Sequence, residues 1–195
     1  ATIDGRILVR THDITISGGD TVGFDDPDRL IVEGTSGAEP AVDFGRGNNS
    51  PGVHHVVFED VHTRNVYMDD GSHDNTFRDG EIGPSIFGGN PNLCADLVVT
   101  GDVVNPSIIG NSIHDNHSDG CGGAHIDALD LNVTGAIIKG NRIWWCGTQC
   151  VFTGDPGTNN LLEDNMIEET NACGSGCDGP QEVALMGDWT VRWNT

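Results

Sequence analysis

Four short segments of this chain share one signature, an aliphatic residue three places before an asparagine: SIIGNSI at 107–113, IIKGNRI at 137–143, LLEDNMI at 161–167 and TVRWNT at 190–195. In the three complete copies an isoleucine (Ile113, Ile143, Ile167) follows two places after the asparagine. Asn111, Asn141, Asn165 and Asn194 lie 30, 24 and 29 residues apart. Weaker copies precede them: NTFRDGEI at 75–82, with Gly80 in the asparagine's place, and HHVVFEDVHT at 54–63. A repeat of this length builds a solenoid, a propeller or an array. The units hold short β runs and no long amphipathic helical pattern, and glycine supplies 28 of the 195 residues, which favours turns. A propeller blade needs four strands in about 40 residues, more than these spacings provide. The sequence therefore predicts an all-β fold, a right-handed parallel β-helix of about six to eight coils. An asparagine at one place in each coil tolerates a left-handed corner and hydrogen-bonds to its stacked copies. The isoleucines are expected to form an inward column.

The length suits a single domain, 1–195. Its last repeat stops at VRWNT, before the isoleucine place, so the final coil reads as incomplete at the C-terminal end. Open β-helix ends expose unpaired strands, which makes end-to-end self-association or coverage by further coils of a longer chain an expectation. The opening ATIDGRILVR has no basic start followed by an apolar run, so an export signal is expected to have been removed already. No apolar run approaches the roughly 18 residues of a membrane span. With 9 basic against 30 acidic residues the formal charge is -21, which argues against nucleic acid and anionic membranes as partners and favours divalent cations.

Of the six cysteines, Cys94 lies just before the midpoint and Cys121, Cys146, Cys150, Cys173 and Cys177 fall in the C-terminal half, and two C-x3-C pairs occur, CGTQC and CGSGC. Zinc pairs usually show tighter spacing with further ligands in register, so disulfides are the better reading, and with them an oxidising compartment. Cys94 with Cys121 is one expected pair. The other four pair either within each C-x3-C or between the two loops.

HIDALDL, IIKGNRIWWCGTQCVF and EVALMGDWTVRWNT together resemble the secreted right-handed parallel β-helix proteins of bacteria, the superfamily of pectate-lyase-like polysaccharide lyases and related glycoside hydrolases. The likeness covers 107–195 well and 28–106 loosely. It implies the fold and an extracellular, polysaccharide-directed setting, but no particular reaction, because one fold hosts unrelated functions.

The densest chemistry is HDNHSDGCGGAHIDALD at 114–130, with three histidines and four aspartates. HIDALDL reads as a strand with His125, Asp127, Leu129 and Leu131 on the inward face and Ile126, Ala128 and Asp130 on the other. Asp127 and His125 then either tie backbone N–H groups at a corner or orient a catalytic group. Asp130 projects outward as a candidate acid, and His117 or Asp119 on the preceding loop would overhang it. Asp115 and Asp119, with Asp69 and Asp70 in the acidic turn DDGSHDN, are candidate Ca²⁺ ligands; several imidazoles would instead suit zinc.

Hydrolysis of a glycan needs two carboxylates at a set separation, and Asp130, Asp127, Asp119 and Asp155 offer such a pair. Elimination needs a cation for the substrate carboxylate and a base; Lys139, the only lysine, is expected on a different sheet from Asp130, and Arg142 is a further cation. Trp145, adjacent to Trp144, is a candidate sugar platform; the alternative is one tryptophan in the core and its neighbour buried under the CGTQC loop. Asn48, Asn116 and Asn132 begin N-x-S/T sequons, to which no function is attached. The rival class is a non-catalytic carbohydrate-binding or structural, self-associating solenoid.

Overall fold

A computed structural model describes residues 1–3, 5–18, 30–33, 41–44, 52–68, 70–84, 96–116, 126–170 and 181–195. Through them the chain winds as a parallel β-helix of seven coils, each coil giving one short strand to each of three seven-stranded parallel sheets. Sheet A runs from Thr2–Ile3 to Met166–Thr170, sheet B from Ile7–Val9 to Gln181–Ala184 and sheet C from Ile14–Ser17 to Gly187–Arg192. The fifth coil shows the plan: Ser112–His114 lies in sheet A, Asp127–Leu131 in sheet B and Ile137–Lys139 in sheet C. Among the described residues there is no helix.

The strands are short β-branched or aromatic runs whose alternate residues face in and out. Val56 and Phe58 are buried while Val57 and Glu59, between and after them, are half-exposed. Ile82, Ile113 and Ile143 stack in register inside sheet A, with Ile167 packed against the same core, as the repeat predicts. Phe44, Phe58 and Phe77 continue the core through the early coils, the last two rings stacked 5.9 Å apart.

The asparagines form the predicted ladder at the corner between sheets C and A. Asn141 shows its chemistry in full: its Oδ1 accepts the backbone N–H of Asn111 at 2.9 Å and the Asn111 Nδ2–H at 3.1 Å, while its own Nδ2 donates to the Ile108 carbonyl at 2.8 Å. Asn165 and Asn194 repeat the pattern on the next coils. Gly80 tops the ladder by donating its N–H to Asn111 Oδ1 at 2.9 Å, and a Cβ there would fall 2.6 Å from the Val61 carbonyl oxygen. The left-handed residue of the corner is not the asparagine, as the sequence suggested, but the one before it: Asp79, Gly110, Gly140, Asp164 and Trp193 all have positive φ. The asparagine is thereby left with its side chain turned inward, where it ties two coils together. A second column that the repeat analysis missed, Asn75 and Asn160 at the corner between sheets B and C, makes the same bonds to Val56 and Val53 and to Ala136 and Val133.

Cys146 and Cys150 are joined, with their Cα atoms 5.1 Å apart, so this C-x3-C pairs within itself across the corner from sheet A to sheet B. Cys94, Cys121, Cys173 and Cys177 lie outside the described residues, and the expected Cys94–Cys121 pair with them. The tryptophan expectation is corrected: neither ring enters the core. Trp144 is half-exposed on the outer face of sheet A, and Trp145 takes a left-handed φ of 53° that turns its ring outward as well, 46% exposed. The left-handed residue breaks the alternation, so two adjacent side chains leave by the same side.

Candidate functional site

Aligning the coils by their asparagines shows what each presents outward on sheet A. The residue after the ladder position is His62, Glu81, Ser112, Arg142 and Met166 in successive coils, and these pair in register. Two places further on stand His114, Trp144 and Glu168 in the fifth to seventh coils. Strand spacing in a sheet is about 4.8 Å, so groups in adjacent coils fall within hydrogen-bond or stacking reach.

His114 is the centre of this face. Its Nε2 lies 3.0 Å from Glu81 Oε1 and its Nδ1 2.7 Å from Asp115 Oδ2. An imidazole that meets a carboxylate at both nitrogens is a double donor, the protonated form. Burial works against the charge, since the ring is only 11% exposed, but the bonds to Glu81 and Asp115 outweigh it and raise the His114 pKa. Glu81 is equally enclosed and also has His62 Nε2 at 3.6 Å, while His62 donates to the Gly83 carbonyl at 2.9 Å. On the other side of His114 the Trp144 ring stacks at 4.3 Å, nearly parallel, and the Arg142 guanidinium lies 4.5 Å from the Trp144 centroid. Glu168 holds that guanidinium at 3.1 Å. Glu81, Ser112, His114, Arg142 and Trp144, with the backbone of Gly110, Asn111 and Gly140, line an open cavity of about 530 Å³, inside the roughly 300–1,000 Å³ range of small-ligand sites.

The residues singled out from the sequence are distributed differently. Asp130 lies on the outer face of sheet B, half-buried, with Val99 and Phe152 as its neighbours in register. Asp127 points inward and is 1% exposed; its Oδ1 accepts the Gln149 N–H at 3.0 Å and its own N–H donates to Asp96, so it ties the corner. Asp127 and Asp130 therefore occupy opposite faces of one strand. Asp115 is drawn to His114, whereas Asp70 Oδ1 accepts the Asp102 N–H at 3.1 Å at a different corner, two coils earlier, so these two candidate Ca²⁺ ligands do not share a point. Arg142 joins the cavity beside Trp144 rather than Trp145. Lys139 sits on sheet C, away from Asp130 as expected, and is engaged with Glu163 and Asp164. Asn116 of the second sequon is fully buried, donating to the Asp127 carbonyl. His117, Asp119, His125 and Asp69 lie outside the described residues.

Sequence reasoning missed Glu81, His62, Glu168 and the placing of His114. The signal was available: counting one and three places on from each ladder position puts all of them in two outward columns. Comparisons with protein-family models, with curated proteins and with solved structures found no match to this chain.

Proposed function

We propose that this protein is an extracellular, carbohydrate-active β-helix that binds a polysaccharide on the outer face of sheet A and cleaves it there. The observation that carries the reading is the Asp115–His114–Glu81 series at the cavity, a proton-holding imidazole fixed between two carboxylates beside an arginine. Its likeness in phrasing to secreted β-helix proteins and the Cys146–Cys150 disulfide, which suits an oxidising compartment, support the setting. Glu81 is the single carboxylate among the described lining residues, whereas hydrolysis by an acid pair asks for two. The lining matches β-elimination on an acidic glycan better. Arg142, steadied by Glu168, pairs with the sugar carboxylate; the Glu81 carboxylate accepts the proton from the adjacent carbon, the electron pair left there forms the carbon–carbon double bond as the glycosidic C–O bond breaks, and the leaving oxygen takes a proton from the His114 imidazolium. Asp115 orients the imidazole.

A panel of neutral and acidic glycans, followed both for reducing ends and for the ultraviolet absorbance of unsaturated uronates, tests this. Both signals together support elimination; reducing ends alone would turn the mechanism to hydrolysis. Glu81→Gln and His114→Ala are each expected to lower turnover by about 10²–10⁴-fold. Glycan binding without turnover would replace the reading by the non-catalytic module, and neither binding nor turnover would overturn it.

A further inference from the structure

Half of the histidines gather far from sheet A, at the corner where sheet B gives way to sheet C in the first three coils. Each coil presents a pair of polar residues just before its sheet C strand: His12–Asp13, His54–His55 and His73–Asp74. The first members stack, His12 on His54 at 4.5 Å and His54 on His73 at 4.7 Å, both nearly parallel. The second members, Asp13, His55 and Asp74, each hold a left-handed φ near 55°, which swings them beside the stack. The result is a close set of nitrogen and oxygen donors. His12 Nδ1 lies 2.7 Å from Asp13 Oδ2, His55 Nδ1 lies 3.2 Å from Asp13 Oδ1, and the Nδ1 atoms of His54 and His55 are 3.1 Å apart.

The contacts of 3.1 and 3.2 Å lie close to the edges of a small coordination shell, while the His12–Asp13 contact at 2.7 Å is a hydrogen bond that a bound ion would replace. Ligands about 2.0–2.2 Å from a tetrahedral ion stand roughly 3.3–3.6 Å from one another. One ligand atom from each of His12, Asp13 and His54 already falls within 4.8 Å of the other two. Imidazole nitrogens outnumber oxygens, which selects a borderline transition metal over Ca²⁺, whose shells hold about 6–8 oxygens. We propose that His12, Asp13 and His54 form a binding site for a divalent transition-metal ion of the Zn²⁺ class, bridging the first two coils, with His55 beside Asp13 and His54 as the donor that completes the shell when the ion binds. His73, stacked on His54, and Asp74, whose Oδ2 lies 3.7 Å from His55 Nε2, act from the third coil to hold the ligand rings in place. The ion acts as a staple between coils, separate from the glycan reading of sheet A.

The test is calorimetric titration of EDTA-treated protein with ZnCl₂. One Zn²⁺ per chain is expected, with a rise in melting temperature that Ca²⁺ does not give. His54→Ala is expected to weaken binding at least about tenfold, and the His12→Ala/His54→Ala double variant to abolish it, while His114→Ala binds zinc as the parent does. Should the double variant fail to fold, ring ¹⁵N spectra of the parent serve instead: zinc should shift the His12, His54 and His55 signals and leave His114 in place. No zinc binding, zinc binding unchanged in the folded double variant, or a shift confined to His114 would each overturn the proposal.

Discussion

The outer face of sheet A and the corner between sheets B and C use the same device, one side chain per coil stacked at strand spacing, and reach opposite electrostatic results. In sheet A His114 meets unlike charge on both sides, Glu81 from the neighbouring column one coil before it and Asp115 adjacent in sequence, and the imidazole is held towards its charged form. At the corner the column is His12, His54, His73, and the central ring is pushed the other way: loss of hydration first, then the neighbouring imidazoles, lower the His54 pKa, with Asp13 opposing. The protonation of a histidine on this β-helix is thus set by the groups its own and the neighbouring coils bring to its ring.

The largest effect expected of a single substitution on this comparison is structural. Asn141→Ala leaves the Asn111 N–H and the Ile108 carbonyl buried without their partner, and should cost about 2–3 kcal/mol in chemical denaturation. Because the ladder borders sheet A and not the histidine corner, ring NMR signals of His114 should move while those of His54 stay.

A smaller, pH-dependent effect belongs to His114→Asn. The folded-state pKa of His114 is raised, so its contribution is complete below the unfolded value of about 6.5 and is lost as pH rises through the folded value. Denaturation of parent and variant should differ by about 1–2 kcal/mol near pH 5.5, with the gap narrowing in alkaline buffer. A gap that widens with pH would reverse the assignment of the protonated ring.

At the corner the sign is opposite. In metal-free protein His54 should titrate below the ordinary histidine range and His114 above it in the same NMR series. If the two curves coincide, the contrast between the columns disappears. The smallest effect is expected at Asp130: with Val99 and Phe152 as its register neighbours on sheet B, Asp130→Ala should leave glycan binding and turnover within error of the parent.

The fold was legible because its determinant is local and repeated. An aliphatic–x–x–Asn–x–Ile unit names the last residues of a sheet C strand, the corner and the first inward residue of sheet A, and the coil-to-coil bonds of Asn111, Asn141 and Asn165 follow from stacking identical units. The inward column of isoleucines and the separation of Lys139 from Asp130 followed from the same count. Two features escaped it. The left-handed residue precedes the asparagine because it is the inward-turned amide, not a left-handed backbone, that the ladder requires. Trp145 turns outward because that same backbone conformation, visited by a non-glycine residue, breaks the alternation on which the reading of both tryptophans rested.

The candidate site was only half legible. The sequence by itself determined that titratable residues crowd around 114–130, that the charge is strongly negative and that stacking brings one residue per coil into line. Only the tertiary structure decided the partners: that His114, held by Asp115, turns to Glu81, some thirty residues earlier, that Asp127 is sealed inside as a corner tie, and that His12, His54 and His73 stand in one stack. The reason is geometric. Periodicity along the chain fixes which face a side chain takes, but loops of unequal length between coils remove any constant spacing, so which residues become neighbours across coils is set by register.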